Sequence, residues 1–283
     1  MMIEGALFSI LVTAVLLTIS ACQQTLPPAT SPTPEPPPTY LRIGVADSAA
    51  AWTDLVAELY GRRQNHTILQ FIPGNNETLW VYLDNGTLDA ILSHHIPPDN
   101  NNWFNPVALD GLTIIVHPDN PVTDLSLAEV QVLFNGRLSN WQSLGGADQP
   151  IALVSREQGA AARTLLQQRI MAEQQLSINA QIAASNQTML DIVAADPYAV
   201  GYEMMGNVSG VKVIMVDGRI PTPTTTADQS YPLTIPLYFV HNSPTEPTGE
   251  LRAFLAWLQS EEGQEVVGER YGRVPSIDQK FQD

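Results

Sequence analysis

From residue 40 onward the chain falls into short apolar runs alternating with stretches of helical period. Leu41-Arg42-Ile43-Gly44-Val45 alternates as a strand does, and residues 49–60 follow with the spacing of a helix. Residues 67–72 read as a second strand, Pro73-Gly74-Asn75-Asn76-Glu77 as a turn, 78–83 as a helix and 88–93 as a third strand. This β-α-β-α-β order with short loops predicts a parallel sheet covered by helices. Loops at the C-terminal ends of its strands then converge on one crevice, where open α/β sheets bind ligands. Further strands are predicted over 112–117, 151–155, 199–202, 211–216 and 233–240. Helices are predicted from the Ser126 cap through Leu133, over 186–195 and over 250–259, and residues 221–228 read as irregular.

The most informative stretch is residues 151–169. A strand-type run ends at Ser155, Gly159 breaks it, and Ala160 begins a run of strong helix formers. A strand-turn-helix of this kind leaves the first backbone N–H groups of the helix unpaired at its positive end, where an oxyanion fits. Arg156 stands where a bidentate guanidinium clamps such an anion. Ser48 is a plausible N-cap at the first strand-to-helix turn, with the N–H groups of Ala49 to Ala51 exposed beyond it.

Composition narrows the partners. The chain has 283 residues, 44% of them hydrophobic, enough for one large or two medium domains. The formal charge is −16, and the lysines are Lys212 and Lys280 alone, so there is no basic patch for nucleic acid. An acidic body repels anions at long range, so any anion site must be local. His94 and His95 adjoin, but neighbouring strand residues face opposite ways, so no metal site is predicted from them, and no cofactor. A triad of Ser48, Ser93 or Ser155 with a His and an Asp has no Gly-x-Ser-x-Gly elbow behind it, and no enzyme is predicted.

Residues 1–21 have the look of a signal peptide: an uncharged apolar run over 6–19, too short for a comfortable membrane span, then Leu17-Thr18-Ile19-Ser20-Ala21-Cys22. Cys22 is the only cysteine, which excludes an intrachain disulfide. Small residues before a lone Cys resemble the lipobox of bacterial lipoproteins, and that resemblance implies cleavage before Cys22 and a lipid on its sulfur. Met1-Met2-Ile3-Glu4 departs from it by lacking a positive n-region. Residues 22–39 are then the lipidated Cys and a linker rich in proline, a semi-rigid stalk of roughly 50 Å at ~3.1 Å per residue.

The remainder resembles a known family. His117-Pro118-Asp119-Asn120-Pro121-Val122, Leu133-Phe134-Asn135-Gly136-Arg137, Asn140-Trp141 and Gly145-Gly146 look like the phosphate-binding proteins of ABC importers. So do Ala199-Val200-Gly201-Tyr202, Tyr231-Pro232-Leu233 with Pro236-Leu237-Tyr238, and Ser260-Glu261-Glu262-Gly263-Gln264 with Tyr271-Gly272 and Val274-Pro275. The resemblance implies an α/β fold of periplasmic-binding-protein type, two lobes joined by two crossing strands with the ligand cleft between them. Carried over, residues 40–117 and 228–283 form lobe 1 and 118–227 form lobe 2.

The same resemblance places the ligand at Ser48, Ala49, Asn75, Asn76, Ser93, His94, Arg156, Gly159, Ala160 and Ala161. Where the family reads Arg-x-x-Gly-Ser-Gly-Thr-Arg, this chain has Arg156-Glu157-Gln158-Gly159-Ala160-Ala161-Ala162-Arg163, without the two hydroxyls. Where a third-strand carboxylate accepts the proton of hydrogen phosphate, this chain has His94 after Ser93. The expectation is a monomeric, lipid-anchored protein on the extracytoplasmic face of a bacterial membrane. It captures an inorganic oxyanion, phosphate before sulfate or molybdate, for the permease of an ABC importer, and meets the membrane through its anchor alone. The alternative is a binding-fold sensor or interaction module that no longer transports.

Overall fold

The computed structural model of the chain describes residues 37–64 and 66–275. The signal segment, Cys22 and nearly all of the proline-rich linker lie outside the described residues.

Strand β1 (Thr39–Ala46) leads into a 3-10 turn (Asp47–Trp52) and helix α1 (Thr53–Arg63). Strand β2 (Thr67–Gly74), helix α2 (Asn76–Asp84) and strand β3 (Ala90–Ser93) complete the predicted parallel unit, with β1 paired to β2 on one side and β3 on the other. Asn75 caps α2 by accepting from the Glu77 N–H. Ser48 does not cap α1. The helical turn already starts at Asp47 behind an uncapped Ala46, and the Ser48 side chain faces inward.

Strand β4 (Trp103–Val116) is far longer than the run predicted over 112–117. Strand β5 (Asp124–Leu125) and helix α3 (Leu127–Phe134) follow, α3 held by a reciprocal cap between Ser126 and Glu129. Strand β6 (Ala152–Arg156) feeds the short helix α4 (Ala161–Leu166), which widens into a π turn over Gln167–Met171. Then come β7 (Gln181–Ala183), α5 (Asn186–Ala195), β8 (Ala199–Met204) and β9 (Lys212–Val216). The stretch expected to be irregular holds a helix, α6 (Pro223–Ala227). Proline sits in its first turn, and Thr222 and Thr225 cap each other there, so local hydrogen bonds compensate a threonine run of poor helix propensity. Strand β10 (Thr234–His241), α7 (Gly249–Leu258) and α8 (Glu261–Gly268) end the described chain.

The strands lie in the order β2-β1-β3-β10-β4-β8-β6-β7, with β9 paired to both β4 and β5. β4 serves both halves. Its residues Trp103 to Gly111 pair with β10, and Leu112 to Val116 pair with β8. One hydrophobic core, from Leu112 to Ile235, gathers α3, α4, α5 and the strands around β8. A second gathers β1, β10, α1 and α7, where Phe254 packs edge-on against Tyr60 at 5.2 Å and nearly parallel to Trp257 at 6.2 Å. These are the two lobes of the expected α/β fold, joined by crossing strands. A third, small cluster includes Ala46, Leu79, Trp80 and Leu83 of one lobe and Ala161 of the other.

Candidate functional site

Four chain segments end at the junction of the lobes. They are the turn after β1, the Asn75 cap before α2, the end of β3, and the loop from β6 into α4. β1 and β3 are parallel, so their C-terminal ends open on the same side, as the sequence predicts. β6 runs the opposite way along the sheet and brings its own C-terminal end to them from the other lobe.

Arg156, the last residue of β6, is fully buried, and its guanidinium is already partnered. Nη2 reaches the Asp47 carboxylate at 2.5 Å and Glu157 Oε1 at 3.0 Å, while Nε reaches Glu157 Oε2 at 3.0 Å. Nη1 donates to the Asn186 side-chain oxygen and lies 3.9 Å from the buried carboxyl of Glu203. Burial works against the charge on Arg156. Hydrogen bonds to Glu157 and Asp47, together with the charges around it, outweigh burial and hold its pKa above the ordinary value. Glu157 is lowered in return, since hydrogen bonds from Arg156 and its own backbone overcome its partial burial.

Glu203 belongs to the same cluster but differs in state. It is fully buried on β8, one oxygen accepts from the Met204 N–H at 2.8 Å, and the other has no hydrogen-bond partner. Burial raises its carboxyl to about 8. The Met204 bond and Arg156 pull against that rise, and Asp47 and Asp110 add to it. At neutral pH it is therefore a carboxylic acid with an O–H to donate.

On the other side of the junction lies a chain of buried hydrogen bonds. Ser48 Oγ is 3.2 Å from His94 Nδ1, and His94 Nε2 is 3.0 Å from Asp110 Oδ2. The other Asp110 oxygen accepts from the N–H groups of Gly111 at 2.7 Å and Gly206 at 3.2 Å. All three side chains are buried. Serine, histidine and aspartate thus stand in line after all. The serine meets Nδ1 and the aspartate Nε2, and Ser48 is buried inside a helical turn rather than raised on an elbow. Ser93 Oγ lies 2.6 Å from Asn76 Oδ1 and 2.8 Å from the His95 carbonyl, and its one hydrogen serves one of them.

The two lobes touch through these same residues. Asp47 reaches Arg156 with its side chain and accepts from Asn207 Nδ2 at 3.0 Å with its carbonyl. Asn75 Nδ2 reaches Glu157 at 3.3 Å. Gly159 is in the left-handed region, with φ +85°, and a Cβ there would come within 2.8 Å of both Asn75 Oδ1 and Glu77 Oε2.

The residues expected to hold a ligand are therefore brought to one place: Ser48, Ala49, Ser93, His94, Arg156, Ala160 and Ala161 fully or almost fully buried, with Asn75, Asn76 and Gly159 beside them. Their partners differ from the expectation. Arg156 faces carboxylates of its own chain, and His94 is backed by Asp110. Of the two alanines that replace hydroxyls, Ala160 is fully buried and Ala162 packs in the core of its own lobe, while Ala161 between them joins the small cluster of lobe 1. Asp47, Asp110, Glu157, Asn186, Glu203 and Asn207 were not singled out from sequence. The available signal was a lone acid inside an apolar strand, in Val107-Ala108-Leu109-Asp110-Gly111-Leu112 and in Val200-Gly201-Tyr202-Glu203-Met204.

Comparison with known proteins agrees with this architecture. The PBP superfamily domain matches residues 31–262. The phosphate-binding protein PstS of Bacillus subtilis (strain 168) is 32% identical over 176 residues, which is 62% of this chain and 58% of that protein. The chain thus matches less than two thirds of that relative's length. Among solved structures, one from Clostridium perfringens described as a phosphate ABC transporter substrate-binding protein, with phosphate bound, superposes with a TM-score of 0.78 at 26% identity, covering 83% of this chain and all of the other. An ABC-type phosphate transport receptor from Vibrio cholerae superposes with a TM-score of 0.68 at 27% identity, over 83% of this chain and 99% of the other.

Proposed function

This chain belongs to the PBP superfamily, and on that premise we propose that it captures an inorganic oxyanion, phosphate before others, between its lobes and delivers it to the permease of an ABC importer. One observation carries the reading. The hydroxyls of Ser48 and Ser93, the Asn75 and Asn76 amides, His94 and Arg156 are all drawn to the lobe junction, at the strand ends where such folds take ligands. The names of the relatives support phosphate as the anion. The ligand set is Ser48, Ala49, Asn75, Asn76, Ser93, His94, Arg156, Gly159, Ala160 and Ala161. An anion enters by displacing Asp47 or Glu157 from Arg156, so opening of the lobes precedes binding. The protein acts as a monomer on the extracytoplasmic face, tethered through lipid on Cys22.

A second reading has its own observation. Arg156 is neutralised from within by Asp47 and Glu157, which suits a sensor or interaction module whose anion site has been closed by its own carboxylates.

Calorimetric titration of the full chain with phosphate, sulfate and molybdate separates the two. Binding of at least one of them, phosphate tightest, is expected for the importer component. No heat from any of the three at millimolar concentration transfers the protein to the second reading. For the tether, Cys22→Ala releases the protein from membranes or leaves it unprocessed, and unchanged membrane retention with normal processing rules the lipid out.

A further inference from the structure

The buried line Ser48–His94–Asp110 has a direction, and the surrounding backbone sets it. Both oxygens of Asp110 act as acceptors. Oδ1 takes the Gly111 and Gly206 N–H groups, and Oδ2 faces His94 Nε2. The ring nitrogen facing that oxygen is therefore the one that carries the hydrogen. With its hydrogen on Nε2, the ring offers a lone pair at Nδ1, 3.2 Å from Ser48 Oγ. The Ser48 O–H is then spent on Nδ1, and its oxygen has only lone pairs left for anything else.

Ser48 follows Asp47, whose carboxylate reaches across to Arg156, so the line ends at the lobe junction. Its backbone N–H is also committed, to Asp47 Oδ1 at 2.8 Å. A ligand oxygen arriving at the Ser48 hydroxyl finds an acceptor and no donor. A ligand O–H is matched there, and a bare anionic oxygen is not.

We propose that Ser48, oriented through His94 by Asp110, is the specificity-determining group of the cleft, and that it selects protonated oxyanions over fully ionised ones. Ser48 is the contact residue, and His94 and Asp110 are positioning residues that act through it. The proposal rests on the oxyanion reading above and deepens it, because the missing third-strand carboxylate is replaced by Asp110 of β4, which works through the His94 imidazole on the Ser48 hydroxyl. The best probes are hydrogen phosphate and sulfate. At mildly alkaline pH both are dianions of similar shape, and one carries a hydrogen that the other lacks.

Asp110→Asn reverses the line. The Gly111 and Gly206 N–H groups keep the amide oxygen on their side, so the amide NH2 turns toward His94 Nε2. That nitrogen must then accept, the ring hydrogen moves to Nδ1, and Ser48 becomes a donor. Calorimetric titration of the full chain and this variant with phosphate and with sulfate is the test. In the full chain phosphate is expected to bind more tightly than sulfate. In Asp110→Asn phosphate is expected to weaken about 10- to 100-fold, the cost of one mismatched buried hydrogen bond, with sulfate unchanged or tighter. Ser48→Ala is expected to remove most of the preference by weakening phosphate alone. Nitrogen-15 imidazole spectra give an anion-free readout: hydrogen on Nε2 of His94 in the full chain and on Nδ1 in Asp110→Asn.

A hydrogen on Nδ1 in the full chain, in a neutral or a doubly protonated ring, overturns the proposal. So does a phosphate-to-sulfate ratio that Asp110→Asn and Ser48→Ala leave unchanged, even though phosphate binds. If neither anion binds the full chain, the oxyanion reading fails and the proposal falls with it, which the titration of the full chain alone reveals.

Discussion

The two polar clusters at the lobe junction each have a fully buried centre, His94 with Asp110 in one and Arg156 with Glu203 in the other, and are differently built. Only the second has partly exposed members, Asp47 and Glu157. In the line from Ser48 to Asp110, each donor meets an acceptor. The line has one carboxylate, and that carboxylate accepts from a ring nitrogen and two backbone N–H groups. Around Arg156 one cation faces three acids, and one oxygen of Glu203 is left without a partner. The first arrangement is closed upon itself and orients a hydroxyl. The second holds more acids than cations, and burial favours the protonated form of one of them, Glu203. Burial alone therefore does not tell a rigid polar site from a poised one. The count of donors against acceptors does.

Removing the cation breaks this comparison most sharply. Arg156→Ala leaves Asp47 and Glu157 without their partner at the lobe junction, a loss of about 3–5 kcal/mol. Unfolding in urea without added anion is expected to show it, and Asp47→Asn in the same chain should restore part. An Arg156→Ala chain as stable as the parent would mean that the guanidinium is a free anion clamp.

Glu203 tests the proton balance. Its folded pKa, about 8, lies above the ordinary carboxyl value of 4.5, so the folded state holds the proton more tightly than the unfolded one. The associated stability is fully present below about 4.5 and is lost as pH rises through about 8. Glu203→Gln is expected to flatten that slope, which amounts to a few kcal/mol at most and is read as urea midpoints against pH. An unchanged slope would place the proton elsewhere.

Gly159 tests whether the clusters are pressed together by the backbone. Gly159→Ala forces a left-handed residue to carry a Cβ against Asn75 and Glu77, at a cost of about 1–2 kcal/mol. Small-angle scattering is expected to show the lobes further apart, and an unaltered profile would mean that the α2 cap yields instead. The smallest effect serves as a reference far from the junction. Ser126→Ala removes the α3 capping box, costs ~1 kcal/mol in thermal unfolding, and leaves anion titrations as they were.

Helices with their caps in sequence were legible. α5 has the bounds predicted, and Ser126 caps α3. The first half of β4 was not legible, because Trp103-Phe104-Asn105-Pro106 contains a residue that cannot donate to a ladder. The structure accommodates it where β10 shifts register between Leu237 and Tyr238, so that Tyr238 lies opposite Pro106. The site divides in the same way. Arg156, Gly159, Ser48 and His94 stand at strand ends and turns, where local pattern points to them. Asp110 and Glu203 act on the site from inside strands, Asp110 in β4, which serves both lobes, and Glu203 in β8 of the nested lobe. Their partners are distant in sequence, so only the register of β4 against β8 and β10 brings them into play. The resemblance gave the place of the cleft, and the chain's own acids set its chemistry.

The double membership of β4 also imposes a timetable. Every buried member of the core around β8 lies between Leu112 and Ile235, one uninterrupted piece of chain. The other core runs from Leu41 to Tyr271, and its sheet cannot close until β10 slides between β3 and β4. A chain threaded out from its N-terminus thus completes the nested lobe while the outer one still waits for a missing strand. Throughout that interval the facing edges of β3 and β4 are open and apolar, a gap that invites wrong partners. A helper that shields a newly made chain has that gap to cover.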